Sequence, residues 1–100
     1  MVVIESTPVD SGARTPAKSQ SFDGPVITIG RSPRADVCLD SDRISRLAIR
    51  IIVTEAGMVL EDASESGSTI NGVHGWGPRP IREGDDIRIG RYRLEVKRTA

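Results

Sequence analysis

No window of this chain places apolar residues at helical spacing. They alternate instead with polar residues in short runs, each stopped by glycine, asparagine, aspartate or proline, and a period of two belongs to strands buried on one face. The clearest run is L-A-I-R-I-I-V, in which Leu47, Ile49, Ile51 and Val53 share a face expected to be core. Glu55-Ala56-Gly57 turns the chain, Met58 and Leu60 point inward on the return, and Tyr92, Leu94 and Val96 repeat the alternation near the end. With 37% apolar residues and three aromatics, the core has to be made of Val, Ile and Leu, side chains that suit a pleated surface. One hundred residues support a single core. Turn signals every 8 to 12 residues or so then predict one all-β sandwich.

Asp23-Gly24 reads as a hairpin signal leading into Val26–Ile29, a strand that stops at Gly30. Val37-Cys38-Leu39 is a further short strand, with the lone thiol expected to be buried and inert. A brief strand from Ser68 to Ile70 closes at Asn71-Gly72, a tight-turn pair, and V-H-G-W-G-P-R-P (73–80) is expected to be irregular, on the surface or at an edge. Val2, Val3 and Ile4 predict a first strand that gives the final run, Arg91 to Val96, a neighbour. Residues 5–21, rich in Ser, Thr, Pro and Gly, read as a long loop or, with the first residues, as a flexible arm. Residues 1–21 are thus set apart from a body spanning 22–100.

Formal net charge is zero, so nothing pulls the chain globally towards nucleic acid or a membrane surface; the best local patch, Arg31 to Arg50, holds five arginines against three aspartates. One cysteine excludes an internal disulfide and fits a reducing compartment; no apolar run approaches a membrane span, and a cytoplasmic location is expected. Neither a cofactor nor a metal is expected, for one histidine and one cysteine supply no ligand spacing. An enzyme is disfavoured because no nucleophile or phosphate-loop motif occurs.

The stretch from Ile27 to Arg46 carries the chemistry. It sets Arg31 directly after the strand-ending Gly30 and brings Ser45-Arg46 to the start of another strand further along, so two loop-borne cations and a hydroxyl can converge. Guanidinium offers a planar fork matched to phosphate oxygens, and a hydroxyl or a free N–H completes the shell. On spacing alone a blander reading is favoured, in which Arg31, Arg34 and Arg46 are solvated and paired with Asp36, Asp40 and Asp42.

The ordered set I-G-R, S-P-R-A-D-V-C-L-D, I-S-R, D-A-S-E-S-G-S, I-N-G and I-R-E-G-D-D-I-R-I-G resembles a forkhead-associated (FHA) domain over about residues 22 to 97. The resemblance implies a β-sandwich of about eleven short strands whose loops at one end recognise phosphothreonine peptides in Ser/Thr kinase signalling. It makes Arg31 and Ser45 phosphate contacts, Arg46 a further basic contact, Ser64 and Ser66 members of the peptide-binding loop, and Asn71 a residue that shapes it. Gly30, Gly72, Gly84 and Gly90 fall on turn positions where glycine permits positive backbone angles.

Three departures from the family pattern bear on function. Ala48 stands where a histidine braces the loops. Ser66 replaces the asparagine that grips the peptide backbone, and one hydroxyl cannot reproduce an amide. Glu65 stands where a threonine or serine often faces the phosphate, and a carboxylate there opposes a dianion. Two functions are therefore expected to compete: a phosphothreonine-peptide module binding a protein partner, or a phosphorylation-independent assembly module with a vestigial pocket. Trp76 enters here either as an interface anchor or as a ring folded back over the sandwich end. Thr7-Pro8 and Thr15-Pro16 read most simply as residues that populate a flexible loop; the competing reading is that Thr7, once phosphorylated, engages the binding loops of the same or a second copy.

Overall fold

The computed structural model describes residues 1–9, 17–41 and 43–98, with no helix among them. Its strands are β1 (Val2–Pro8), β2 (Lys18–Phe22), β3 (Val26–Gly30), β4 (Val37–Cys38), β5 (Ile49–Thr54), β6 (Gly57–Asp62), β7 (Ser68–Ile70), β8 (Val73–Gly75), β9 (Gly77–Ile81), β10 (Ile87–Ile89) and β11 (Tyr92–Arg98). They make the all-β sandwich that the alternation predicts. One sheet runs β2-β1-β11-β10-β7-β8 and the other β4-β3-β5-β6-β9. Ile4, Ile27, Ile29, Ile51, Leu60, Ile87 and Leu94 are fully buried between them. Each such aliphatic side chain contributes roughly 1.5 to 3 kcal/mol by leaving water.

The N-terminal run pairs with the last strand as expected, Val2 opposite Arg98 through Pro8 opposite Tyr92. It extends further than Ile4, and residues 18–21, read from composition as part of a loop or arm, form β2 with Phe22 on its other side. Thr7 therefore sits half-buried in β1 opposite Arg93, not in a mobile accessible segment; Thr15 lies outside the described residues. Asp23-Gly24 joins strands of different sheets, so it is a crossover turn and not a hairpin. The 73–80 segment is more regular than expected, and its two strands, β8 and β9, are each an edge of a sheet. That is where Pro78 and Pro80 are tolerated, since neither can donate to a further neighbour.

Two positions on the alternating runs also differ. Leu47 is 61% exposed, because the strand begins only at Ile49 and the chain turns at Arg46-Leu47; Ala48 takes the buried position instead. Its N–H is bound to Ile29 O and its carbonyl to Ala63 N–H. Cys38 is exposed, since Val37 and Leu39 occupy the inward sites of the V-C-L run, and its thiol donates to Arg31 O at 3.5 Å.

Away from the loop end of the sandwich, Asp86 leads into β10. The Arg88 guanidinium hydrogen-bonded to it holds its carboxyl below the usual carboxylate range, with Arg93 adding to the effect and partial desolvation opposing it. A depressed folded pKa stabilises the fold above pH about 4, where the unfolded carboxylate is also ionised, and that contribution fades as the pH falls through the lower folded value. Asp86→Asn should thus lower the urea midpoint slightly at pH 6 and leave it unchanged near pH 2. A difference that persists at pH 2 would assign the effect to packing instead of charge.

Candidate functional site

Gly30 ends β3 against the 44–48 segment so closely that a Cβ there would lie 2.1 Å from Arg46 O and 2.7 Å from its carbonyl carbon. Unlike Gly72, Gly84 and Gly90, it has no positive φ; its requirement is space. This approach lets Arg31 N–H donate to Ser45 O at 3.1 Å and Ser32 N–H to Arg46 O at 3.0 Å, so the two loops zip together backbone to backbone. Arg31 then lies beside Ser45 and Arg46, the convergence inferred from the sequence.

These residues line a shallow depression of about 300 Å³ together with Arg43, Ile44, Glu65 and Ser66. Arg31 Nε donates to Ile44 O at 3.1 Å, which orients the guanidinium and leaves its two terminal nitrogens available. Ile44 is itself anchored, its side chain 3% exposed. Among the described residues Arg31, Arg34, Arg43 and Arg46 form no ion pair. Asp36 is committed to Thr28, accepting from its N–H at 2.9 Å and from its hydroxyl at 3.2 Å; Asp42 lies outside the described residues. Among the described residues the depression thus holds three arginines against one carboxylate, an arrangement that attracts a small oxyanion. A larger groove of about 500 Å³ on the outer face of the second sheet, along Leu47, Ala63 and Pro78, offers mostly apolar lining and no such convergence.

The sequence passed over Arg43. It sits two residues before Ser45, and the Ser41–Ser45 loop turns it onto the depression; the excess of arginine between 31 and 50 was the one available signal.

Ser64 and Asn71 are not part of the depression. Ser64 is buried: its hydroxyl donates to Asp62 Oδ1 at 2.6 Å and accepts from Gly67 N–H at 3.0 Å, so it shapes the loop from behind. Asn71 lies at the far end of β7, clasped to Asp85 and to Asp86 N–H, with φ of 50°. It braces the turn there.

The 64–67 loop is held from above by a device the sequence only half disclosed. Because β7 and β8 are three residues each and joined by Asn71-Gly72, Gly75 comes back opposite Ser68, and the next residue, Trp76, returns over the loop. Its indole N–H donates to Ser64 O at 2.9 Å, while His74 Nε2 lies 2.7 Å from Ser66 O and the two rings meet edge-to-face at 4.8 Å. Trp76 is accordingly folded back over the sandwich end, though 52% of it stays exposed. Gly67 admits both rings: a Cβ there would come within 2.9 Å of His74 and of Trp76. With Ala48 unable to brace the loops, this pair ties the loop instead.

Beneath the loop, Asp62 is buried and Arg79 reaches it at 3.7 Å, also donating to the hydroxyl and the carbonyl of Ser68. The contact links β6 and β9 of one sheet to β7 of the other. Removing one partner of a buried pair strands the second charge, usually at a cost of 3 to 5 kcal/mol. Since Arg79 keeps 19% of its side chain exposed, Arg79→Ala is expected to cost about 2 to 3 kcal/mol of stability in urea. A loss below about 0.5 kcal/mol would mean water satisfies Asp62.

The comparisons with known proteins agree with this architecture. The FHA domain family model matches residues 27–90. Among solved structures, Mycobacterium tuberculosis EmbR in complex with a low-affinity phosphopeptide superposes with TM-score 0.78 at 24% identity, over 95% of this chain and 24% of that one. The FHA domain of the CT664 protein from Chlamydia trachomatis gives 0.79 at 20% identity, covering 99% and 98% of the two chains. The N-terminal FHA domain of S. cerevisiae Rad53p in complex with a phosphothreonine peptide gives 0.70 at 23%, covering 94% and 91%. The chain thus spans about a quarter of EmbR but nearly all of the isolated domains. No curated protein sequence matches it. A family match over residues 27–90, most of the length of a sandwich with this topology, decides the assignment: the chain belongs to the FHA domain family, whose domains are binding modules and not enzymes.

Proposed function

We propose that the loop end of this sandwich binds a phosphothreonine-containing segment of a protein partner, as a recognition module of cytoplasmic Ser/Thr kinase signalling. The observation that carries the reading is the oriented Arg31 guanidinium, without an ion pair among the described residues, facing the same depression as Arg43, Ser45 and Arg46. Charge-assisted hydrogen bonds contribute roughly 1.5 to 3 kcal/mol each, so two or three of them support micromolar binding even with serine at position 66. Arg31 and Ser45 take the phosphate, Arg43 and Arg46 add charge, and Ser66 meets the peptide backbone. Neighbours solved in complex with phosphopeptides are consistent with a protein ligand of this kind.

The test is capture of an oriented phosphothreonine peptide library beside its unphosphorylated twin. Retention of the phosphorylated set alone is expected; equal retention, or none, overturns the reading. A phosphorylation-independent assembly module is the second reading, favoured by Glu65 on the pocket rim and by the half-exposed Trp76 ring. It predicts capture of a partner that survives phosphatase treatment.

A further inference from the structure

Among the described residues Glu65 is the one acidic side chain on the wall of the depression. Three arginines share that wall, yet among the described residues none of them lies within ion-pairing distance of its carboxylate. Nor is the loop free to carry it away. Glu65 N–H donates to Ser45 Oγ at 3.4 Å, Ser64 is tied to Asp62, and the carbonyls on either side of Glu65 are held by Trp76 and His74. The peptide plane is fixed, and the exposed carboxylate has only its own rotamers to choose from.

A phosphate seated on Arg31 and Ser45 therefore meets a carboxylate on the neighbouring wall that no described residue compensates. Two anions in one small depression repel, and the arginines offset that repulsion only by dividing themselves between phosphate and carboxylate. A cation supplied by the ligand removes the conflict, because it pairs with Glu65 and releases the arginines to the phosphate. Building a repulsive element against one class of partner is also how an interface acquires selectivity.

We infer that Glu65 is a specificity-determining residue that selects phosphothreonine segments carrying lysine or arginine within about two residues of the phosphothreonine. The inference rests on the phosphothreonine reading and deepens it: the ligand class becomes a basic phosphopeptide, although the excess of arginine around the pocket would by itself favour an acidic one. Glu65 acts on choice of ligand and not on the fold, since its side chain is exposed and makes no hydrogen bond among the described residues.

The experiment is fluorescence anisotropy with phosphothreonine peptides that differ only in having Lys, Ala or Glu at the flanking positions, titrated with wild type, Glu65→Gln, Glu65→Lys and Arg31→Ala. Wild type is expected to bind the Lys peptide about fivefold more tightly than the Ala peptide, the size of a well-placed solvent-exposed ion pair, and to bind the Glu peptide weakest. That order should flatten in Glu65→Gln and invert in Glu65→Lys. Phosphate-dependent, Arg31-dependent binding that is indifferent to the flanks, or a Lys preference that survives in Glu65→Gln, overturns the inference and leaves the function standing. If neither wild type nor Glu65→Gln binds any of the phosphopeptides, the phosphothreonine reading fails and this inference with it.

Discussion

Gly30→Ala is expected to cost on the order of 4 kcal/mol or more, at the far end of what single substitutions do, and to remove the binding depression with it. The added methyl would sit 2.1 Å from a backbone oxygen, 2.7 Å from a backbone carbon and 3.0 Å from Ala48 N. No rotamer change relieves a clash with main chain. The obstructing segment cannot withdraw either, because Arg31, Ser32 and Ala48 all donate across the same seam, to Ser45 O, Arg46 O and Ile29 O. Opening it gives up three backbone hydrogen bonds at roughly 1 kcal/mol each and exposes neighbouring core. Gly24→Ala is the control: a Cβ there meets nothing nearer than 3.8 Å, and a change within about 0.5 kcal/mol is expected. Urea unfolding of both variants decides the matter. A Gly30→Ala protein within 1 kcal/mol of wild type would mean the 44–48 loop can slide aside, and the zipped seam would not be what positions Arg31.

That seam marks where reading from sequence succeeds and where it stops. Tyr92, Leu94 and Val96 alternate because each must choose a face, so period two exposes them as core, and all three are buried. Leu47 continues the same period on paper, but it precedes the strand, in a turn whose geometry is set by hydrogen bonds from Ala48 N–H to Ile29 O and from Ala63 N–H to Ala48 O. Alternation says nothing about where a strand begins. Asp23-Gly24 has hairpin chemistry, yet it joins strands of different sheets, since the partner of β2 is β1. Turn residues describe local bends and not long-range pairing. From its motif Gly30 reads as a positive-angle glycine; its actual demand, room for another loop's backbone, is written in Arg46 and Ala48, far along the chain.

The site shows the same division. Arg31, Ser45 and Arg46 were legible because a strand end, a glycine and a serine-arginine pair localise them. Ser64 was not separable from Ser66, since only burial distinguishes a hydroxyl spent on Asp62 from one facing solvent. The brace formed by Trp76 and His74 follows from β8 being short enough to return the chain to the loop. No motif announced it. Ala48 pointed only to a missing brace.

Arg31→Ala should cost about 2 to 5 kcal/mol of phosphopeptide affinity, a loss of about thirtyfold at the low end, while leaving the fold nearly intact. Folding gains little from this side chain: it is exposed, and its one side-chain hydrogen bond among the described residues, from Nε to Ile44 O, contributes roughly 0.5 to 1.5 kcal/mol. Binding gains more, because that bond holds the guanidinium in place before any ligand arrives, so the entropic cost of ordering a long side chain has been met in the free protein. Arg31→Lys separates charge from geometry. An ammonium restores the positive charge but neither the planar fork nor the Nε anchor to Ile44, so recovery should be partial, still about tenfold below wild type. Calorimetric titration with one phosphopeptide, alongside urea unfolding of each variant, reads both quantities. Full affinity in Arg31→Ala would move phosphate recognition out of this depression, while affinity lost in step with stability would show that Arg31 holds the loops together and does not touch the ligand.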